Sequence, residues 1–247
     1  MTEIREVLLV TQKGECLIPY QLERVEKALV AIRRLKDYLA RGKMYQNSLA
    51  YYEENLDGIS ELGQEIANKI RNGVVDDYAS KELEQIRKQI IKCEEQMKQK
   101  AEQILRSKKE CMTDNFCTFR NGRICLPVKK DDKLKIPGSV IDRSATGSTL
   151  FIEPSGVAKY YEELQLLKIS EENEVYNILY TLSAFVLASA PVLEADLTMI
   201  EKLDFIFSKG KLSLDMKATE PVINTERRIK LTEARHPLMD QEVAVPL

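Results

Sequence analysis

The sequence predicts a mainly α-helical protein: a helical core with a long antiparallel two-helix coiled-coil arm and a small antiparallel β insertion at the tip of the arm. Three observations predict this fold. Apolar residues recur every seven positions in residues 80–107, a second helical pattern occupies residues 155–188, and a β-prone stretch separates them. A seam of two apolar positions in seven is typical of coiled coils rather than of a globular helix face.

Residues 1–79 are predicted to form part of the helical core. Pro19 lies near the first turn of an amphipathic pattern, and Gly42 follows its last apolar residue. The pattern then resumes and stops at Asn72-Gly73, a dipeptide typical of turns. The predicted elements are a helix over 20–40, a helix over 47–71 and a connector over 73–79.

Residues 80–107 are predicted to form the ascending helix of the arm. Ser80 is a suitable N-cap, and Glu82 and Glu84 lie in the first turns, where the helix dipole favours negative charge. At 1.5 Å per residue this helix would span about 42 Å. Its seam consists of Leu83, Ile90, Met97 and Ile104, with Ile86 and Cys93 in the complementary position.

The descending helix is predicted over 155–188, and Pro191 is expected to break it and to start a core helix over 189–220. Residues 80–107 hold seven basic and five acidic side chains, whereas residues 153–187 hold two basic and six acidic ones. Opposite net charges favour pairing of the two helices over self-association, although each exposed ion pair contributes little.

Residues 108–154 are predicted to form the β-rich tip, and its clearest element is a hairpin over 140–154. The turn Ser144–Ser148 contains Gly147, which we expect to supply a positive φ or a bulge, and Pro154 closes the second strand. Residues 221–247 are predicted to hold short strands, at 221–224 and 229–231. The chain looks cut, since it ends on a β-prone apolar run.

Composition narrows the functional classes. Lys and Arg number 37 and Asp and Glu 39, a balance unlike that of a generally basic nucleic-acid binder. Five cysteines without a CxxC pair, and His236 as the only histidine, predict free thiols rather than a zinc site. No phosphate-binding glycine loop and no paired nucleophile and base occur. Without a signal peptide or a run of 18 apolar residues, a cytoplasmic protein without a transmembrane helix is expected.

The predicted tip differs in charge from the rest of the chain. Residues 108–143 hold nine basic and five acidic side chains, a net charge of +4. Basic side chains at the end of an arm suit contact with a phosphate backbone, while lysines that keep a β edge soluble remain an alternative. Phe116, Phe119 and Phe151 are expected in the core of the tip rather than stacked on bases. The candidate nucleic-acid-binding residues are Arg120, Arg123, Lys129, Lys130, Lys133, Lys135 and Arg143.

Several stretches resemble one protein family. FRNGRICLPVKK (119–130) and IPGSVIDRSATGSTLFIEPSGV (136–157) look like the clamp tip of the second bacterial type of MutS protein, the paralogue without mismatch-reading domains. The order and spacing of motifs agree from about residue 14 to the end. Three further stretches resemble the same family: ASKELEQIRKQI (79–90), LDFIFSKGK (203–211) and EARHPLM (233–239).

The resemblance implies that the chain is the core (lever) and clamp piece of a homodimeric ATPase, without chemistry of its own. The parent would use ATP and magnesium, and would continue into an ATPase domain and a small MutS-related nuclease domain. Residues 221–247 would then lead into the ATPase domain, with residues 243–247 as the lead-in strand and Val245 near the adenine when that domain is present. The partners implied are double-stranded, branched or mismatched DNA, or collided ribosomes and their RNA, with no membrane.

One alternative belongs to a different functional class. The chain would be a structural coiled-coil scaffold that docks a protein partner through the acidic segment 153–187, in which Glu162, Glu163 and Glu171-Glu172 carry the charge. A self-contained enzyme is disfavoured, because no catalytic or metal-binding constellation is recognisable in the sequence.

Overall fold

The computed structural model describes residues 3–236 and Met239, and within them the protein is mostly helical, as predicted. Short 3₁₀ helices occupy some of the connections. The elements in chain order are α1 (Arg5–Gln12), α2 (Pro19–Gly42), α3 (Ser60–Lys69), β1 (Ile70–Arg71), β2 (Val74–Val75), α4 (Lys81–Ser107), β3 (Thr118–Arg120), β4 (Arg123–Lys129), β5 (Gly138–Arg143), β6 (Thr149–Pro154) and α5 (Ser155–Asp215).

The chain divides into two compact units. The first comprises Met1–Ala31 with Ile59–Ala190, and the second comprises Ile32–Gly58 with Pro191–Leu247. The first unit buries apolar side chains of its N-terminal helices, among them Leu8, Leu22 and Leu62, and it contains all six strands.

Helix α4 begins and ends where the sequence predicts. The Ser80 side chain accepts a hydrogen bond from the Leu83 amide at 3.0 Å, which is the predicted N-cap. Leu83, Ile90 and Met97 of the predicted seam are buried and Ile104 is partly buried, and α4 and the first part of α5 share one apolar cluster. Its members from α4 are Ile86, Ile90, Cys93, Met97 and Ala101, and those from α5 are Val157 and Leu164.

Side-chain contacts between α4 and α5 run in opposite chain directions. Ser80 Oγ donates to Glu174 at 2.6 Å and Arg87 Nε donates to Glu171 at 2.7 Å, whereas Cys93 lies against the Tyr160 carbonyl. Residue numbers therefore increase along α4 while those of the contacted residues on α5 decrease. The two segments pack antiparallel, while a coiled-coil geometry for them stays a prediction.

The expected helix break at Pro191 is wrong, because α5 continues from Ser155 to Asp215 through this proline. A proline inside a helix leaves the carbonyl four residues earlier without its N–H partner. Here that carbonyl belongs to Leu187, and Leu187 and Pro191 are both exposed, so water can replace the lost donor. Thus the predicted elements 155–188 and 189–220 belong to one continuous helix.

Helix α5 is also long and apolar enough to cross a membrane by length and composition alone. An 18-residue window in it has a mean hydropathy of 1.6 although no such run is wholly apolar, and 39% of that window is buried inside the protein. One such helix is weak support for a membrane span. Leu182, Val186 and Leu193 of the same helix are buried, so packing explains part of its apolar character.

The predicted helix over 47–71 is wrong in its first half, where a 3₁₀ helix (Ser48–Asn55) and a turn precede α3. Gly58 in this turn has a φ of +72°, and a Cβ there would lie 2.8 Å from Arg33 Cγ. A left-handed residue inside the segment ends helical continuity. Asn72-Gly73, predicted as a helix stop, forms the turn of the β1–β2 hairpin, with both residues at positive φ.

The turn at Gly58 is held by a buried carboxylate in the second unit. Asp196 is 2% exposed, and it accepts hydrogen bonds from the amides of Asp57 at 2.9 Å and Gly58 at 3.0 Å. Burial raises the pKa of Asp196 above its ordinary value, and these two backbone hydrogen bonds oppose that rise.

We expect Asp196→Ala to lower the free energy of unfolding by about 2 to 4 kcal/mol, because it leaves two amides without their acceptor. Urea denaturation measures the loss, and Asp204→Ala, at an exposed position of the same helix, is the matched control. The raised pKa adds a pH signature. Since the folded chain holds this proton more tightly, wild-type stability should fall as pH rises from about 4 through the raised pKa, and Asp196→Ala should lack this component. Equal denaturation midpoints for the two variants would contradict the role of Asp196.

The strands predicted at 221–224 and 229–231 are absent from the described part of this region. Val222, Ile223, Ile229 and Leu231 are each at least 74% exposed, so these β-prone runs pair with no strand among the described residues. β-Propensity without a partner strand does not produce a strand. The predicted lead-in strand at 243–247 lies outside the described residues.

Candidate nucleic-acid interface

The four strands of the tip form one antiparallel sheet in the order β3-β4-β6-β5. The predicted hairpin over 140–154 is confirmed as β5 and β6, and Gly147 in its turn has a φ of +69°. One face of the sheet packs on the end of α4. Leu105 of α4 joins Leu126, Val128, Leu150 and Ile152 of the sheet in an apolar cluster.

A β-bulge interrupts β5 at Ile141. Val140 pairs with Ile152 and Asp142 pairs with the next residue, Phe151, so Ile141 has no partner in the register. Residues two apart on a regular strand share a face. The bulge instead lets Val140 pack with the apolar cluster while Asp142 forms an ion pair with Arg120, 3.6 Å from Oδ2 to Nε.

Three of the candidate nucleic-acid-binding residues lie together at the end of the sheet farther from the start of α5. Lys129 pairs with Thr149, the Lys130 amide donates to the Ser148 carbonyl at 3.0 Å, and Arg143 pairs with Leu150. Since β6 separates β4 from β5, the backbones of Lys129 and Arg143 are about 10 Å apart. Their side chains start from opposite faces of the sheet. We call Lys129, Lys130, Arg143 and the loop Ser144–Ser148 the basic end.

The side chains of the basic end are exposed, and most of their charge is unpaired. Lys129 Nζ donates to the Glu110 carbonyl at 2.7 Å, which leaves its charge without a counterion. Within the described residues, Lys130 and Arg143 have no ion pair. Three exposed positive charges that form no ion pair among the described residues are suited to bind phosphate oxygens.

Hydroxyl groups line the loop of the basic end, and sequence reasoning missed them. Thr146 Oγ1 lies 2.8 Å from Ser148 Oγ, and the Thr149 amide donates to Ser144 Oγ at 3.1 Å. Hydroxyls of Ser and Thr are common donors to phosphate oxygens. The cluster Ser-x-Thr-x-Ser-Thr was visible in the sequence, but its place between the basic residues follows only from the sheet register.

Two further predicted residues lie on the 3₁₀ helix that follows β4 (Lys130–Lys135). Lys133 is exposed, and Lys135 Nζ lies 2.8 Å from Asp132 Oδ1, a contact that raises the pKa of Lys135. Leu134 between them is 95% exposed. This helix extends the basic surface beside the basic end, although Asp132 neutralises part of its charge.

The remaining two predicted residues, Arg120 and Arg123, have partners inside the tip. Arg120 lies over the ring of Phe151, 4.5 Å from its centroid. Arg123 lies over the ring of Tyr161 at 4.3 Å and forms an ion pair with Glu153, whose side chain is 1% exposed. The structure therefore brings Lys129, Lys130 and Arg143 together, whereas these two arginines are engaged with partners on the face of the sheet opposite the apolar cluster.

Phe151 is buried in the tip as predicted, but the prediction is wrong for Phe116 and Phe119, which are 61% and 63% exposed. Phe119 lies on the short edge strand β3, where few neighbouring side chains are available to cover it. Val245, the predicted adenine contact, lies outside the described residues.

All five cysteines are free thiols, as predicted. Burial raises the pKa of Cys125, on the arginine-covered face of the sheet, to about 11. Such a thiol stays protonated at neutral pH, which makes it a poor nucleophile. Among the described residues, no group of three or more His, Cys, Asp or Glu side chains is arranged to hold a metal ion.

Comparison with known proteins gives a consistent result over the whole chain. No protein-family model matches it. Proteins named endonuclease MutS2 are similar to 99% of the chain in Geobacillus sp. (strain WCH70), at 37% identity, and to 100% in Ruminiclostridium cellulolyticum, at 35% identity. A protein of the same name from Alkaliphilus oremlandii is 33% identical over 99% of the chain. In each case the chain spans only 32% of the relative's length.

Proposed function

Because this chain belongs to the MutS2 family, as a segment about a third of the length of its relatives, we propose that it is the core and clamp region of such a protein. In this proposal it binds nucleic acid and transmits motion, and the chemistry resides in the rest of the protein. The observation that carries the proposal is the basic end, where Lys129, Lys130 and Arg143 surround an exposed hydroxyl-lined loop.

The proposed clamp arm consists of α4 and the first part of α5, packed as a two-helix coiled coil. Three observations support it: the buried heptad positions of α4, the apolar cluster shared with α5, and the reversed order of the contacts. Arg87 contributes at the base, where it contacts Glu171, Asp77 and the Val75 carbonyl together. Such an arm places the sheet at one end of a rigid element.

The proposed grip is a contact between the basic end and the phosphate backbone of the nucleic acid. Phosphate contacts position a protein without reading sequence, and they release counterions. The charges start from both faces of the sheet, so a backbone crossing the end of the sheet can meet all three. In this proposal the tip of the clamp contacts a duplex or a structured RNA without discriminating between bases.

In the whole protein, we expect the helical core to act as a lever driven by an ATPase domain that uses ATP and magnesium. A homodimer would place two clamp arms around branched or mismatched DNA, or around a collided ribosome and its RNA. The name endonuclease carried by the relatives supports nuclease activity in the whole protein. A cytoplasmic location, with no membrane partner, fits these substrates.

The proposal predicts that Lys129→Gln, Lys130→Gln and Arg143→Gln, combined in one variant, weaken nucleic-acid binding and reduce its salt dependence. Because each lost phosphate contact removes about 0.9 from the slope of log affinity against log salt, the slope should fall by about 2 to 3. A mobility-shift titration at several salt concentrations measures both quantities, with a four-way DNA junction and with purified ribosomes as separate ligands.

A charge-matched control uses Lys81→Gln, Lys92→Gln and Lys98→Gln on exposed positions of α4. This control should keep the wild-type slope, since its lysines lie away from the basic end. Equal slopes for the two triple variants would show that charge at the end of the sheet is not the contact. Loss of binding to only one ligand identifies that ligand as the target of the basic end.

A further inference from the structure

Helix α5 carries an apolar seam on the side that faces away from α4. It consists of Leu166, Ile169, Asn173, Tyr176 and Tyr180, and we call it the outer seam. Its steps of three and four residues alternate, which is the heptad spacing of a coiled-coil helix. The outer seam spans about 21 Å along the helix.

The outer seam is distinct from the face that α5 packs against α4. That inner face presents Leu164, Leu167 and Glu171, each two positions from a residue of the outer seam. Two positions on an α-helix correspond to a rotation of about 200°. Consequently α5 has two apolar stripes on opposite sides, and α4 covers only one of them.

The apolar side chains of the outer seam are open to solvent. Leu166 is 67% exposed, Ile169 54%, Tyr176 57% and Tyr180 59%. The rings of Tyr176 and Tyr180 are stacked with centroids 6.2 Å apart, so the two aromatic side chains are neighbours on this side of the helix. Single exposed apolar residues are ordinary, but four in heptad register on one helix mark a surface for a partner.

The charges around the outer seam define what that partner must be. Glu162, Glu163 and Glu172 are exposed beside it, against two exposed bases, Lys159 and Lys168, so the acids are in excess. The other acids of this region, Glu171 and Glu174, already contact Arg87 and Ser80. A second copy of the chain would bring these exposed acids against one another, whereas a basic helix would neutralise them.

We propose that the outer seam is a docking surface for a cationic amphipathic helix of a partner protein, which packs on α5 by heptad contacts. Asn173, at the centre of the seam, pairs with a polar residue of that helix and so sets its register. Leu166 and Ile169 contact the apolar face of the helix at one end, and the stacked tyrosines contact it at the other. This surface goes beyond the proposed grip on nucleic acid, since none of its residues belongs to the sheet.

The test uses a three-heptad peptide with Leu at the a and d positions, Lys at the e and g positions and one Trp on its outer face. The chain has no Trp, so the fluorescence of the peptide alone reports binding. We expect low-micromolar affinity, and a loss of about tenfold or more for Leu166→Gln with Ile169→Gln. Glu162→Gln, Glu163→Gln and Glu172→Gln together should weaken binding severalfold and flatten its salt dependence.

The matched control is Ile91→Gln with Leu134→Gln, two substitutions of exposed apolar residues elsewhere, which should leave the affinity unchanged. A peptide with Glu in place of Lys should bind at least about tenfold more weakly. Equal binding of the two peptides, or wild-type affinity after Leu166→Gln with Ile169→Gln, would overturn the proposal. So would a dimer in sedimentation velocity that this double substitution dissociates, because the occupant would then be a second copy.

Discussion

Gly138→Ala is expected to destabilise the sheet by about 3 kcal/mol, because the added methyl group would collide with the neighbouring strand. Gly138 pairs with Pro154, and a Cβ at this position would lie 2.2 Å from the Glu153 carbonyl oxygen and 2.8 Å from Pro154 Cα. Both are backbone atoms of β6, so no side-chain rotation relieves the clash. Either the start of β5 separates from β6 or β6 shifts against its other neighbour, β4.

Urea denaturation measures the loss, and hydrogen exchange at the amides of β5 locates it. The control is Gly147→Ala in the turn of the same hairpin, where a Cβ would meet nothing within 4 Å but φ is +69°. That substitution should cost only about 1 to 2 kcal/mol, the strain of a left-handed residue. Should both variants lose the same stability, the close approach of the two strands is not what requires glycine at 138.

Arg123→Met is expected to cost about 3 kcal/mol, because it leaves the buried carboxylate of Glu153 without its counter-charge. The Glu153 side chain is 1% exposed, and its Oε1 already has no hydrogen-bond partner among the described residues. The ion pair raises the pKa of Arg123, so the guanidinium is charged at every pH of interest. The Arg123 side chain is itself 36% exposed, and solvent screening places the loss at the low end of values for buried pairs.

The double variant Arg123→Met with Glu153→Leu separates the two contributions. Replacing both charges with apolar groups should recover most of the stability, because the unpaired charge is then gone. A double variant as unstable as Arg123→Met would mean that packing on Tyr161, rather than charge, dominates. In the mobility-shift titration, the double variant should keep the wild-type salt slope, which the triple substitution at the basic end should not.

The sequence predicted helix α4 well because its signals are local. A capping serine, acidic first turns and heptad spacing all lie within the helix itself. Helix α5 was predicted as two helices because the rule for proline is also local, whereas survival of the helix through Pro191 depends on the exposure of that face. The turn at Gly58 was missed because its anchor, Asp196, lies far away in the chain.

The candidate site shows the same division between local and distant information. The excess of basic residues in the tip can be counted in the sequence. Charge alone does not show that Lys130 is free of an ion pair among the described residues whereas Arg123 is paired. That distinction depends on Glu153, which follows Arg123 by thirty residues and meets it only after β4 and β6 pair. The heptad spacing of the outer seam is also present in the sequence, but its exposure depends on α4 packing against the opposite side of α5.

The bulge at Ile141 limits how readily the edge of the sheet can pair with a strand of another molecule. β5 is an edge strand, and a regular edge offers its free amides and carbonyls to strands of other molecules. The extra residue twists this edge and breaks its ladder, while the opposite edge, β3, is only three residues long. In the homodimer proposed above, the sheets of two arms that close on one object can approach each other without joining into a continuous intermolecular sheet, so the tips would stay separable.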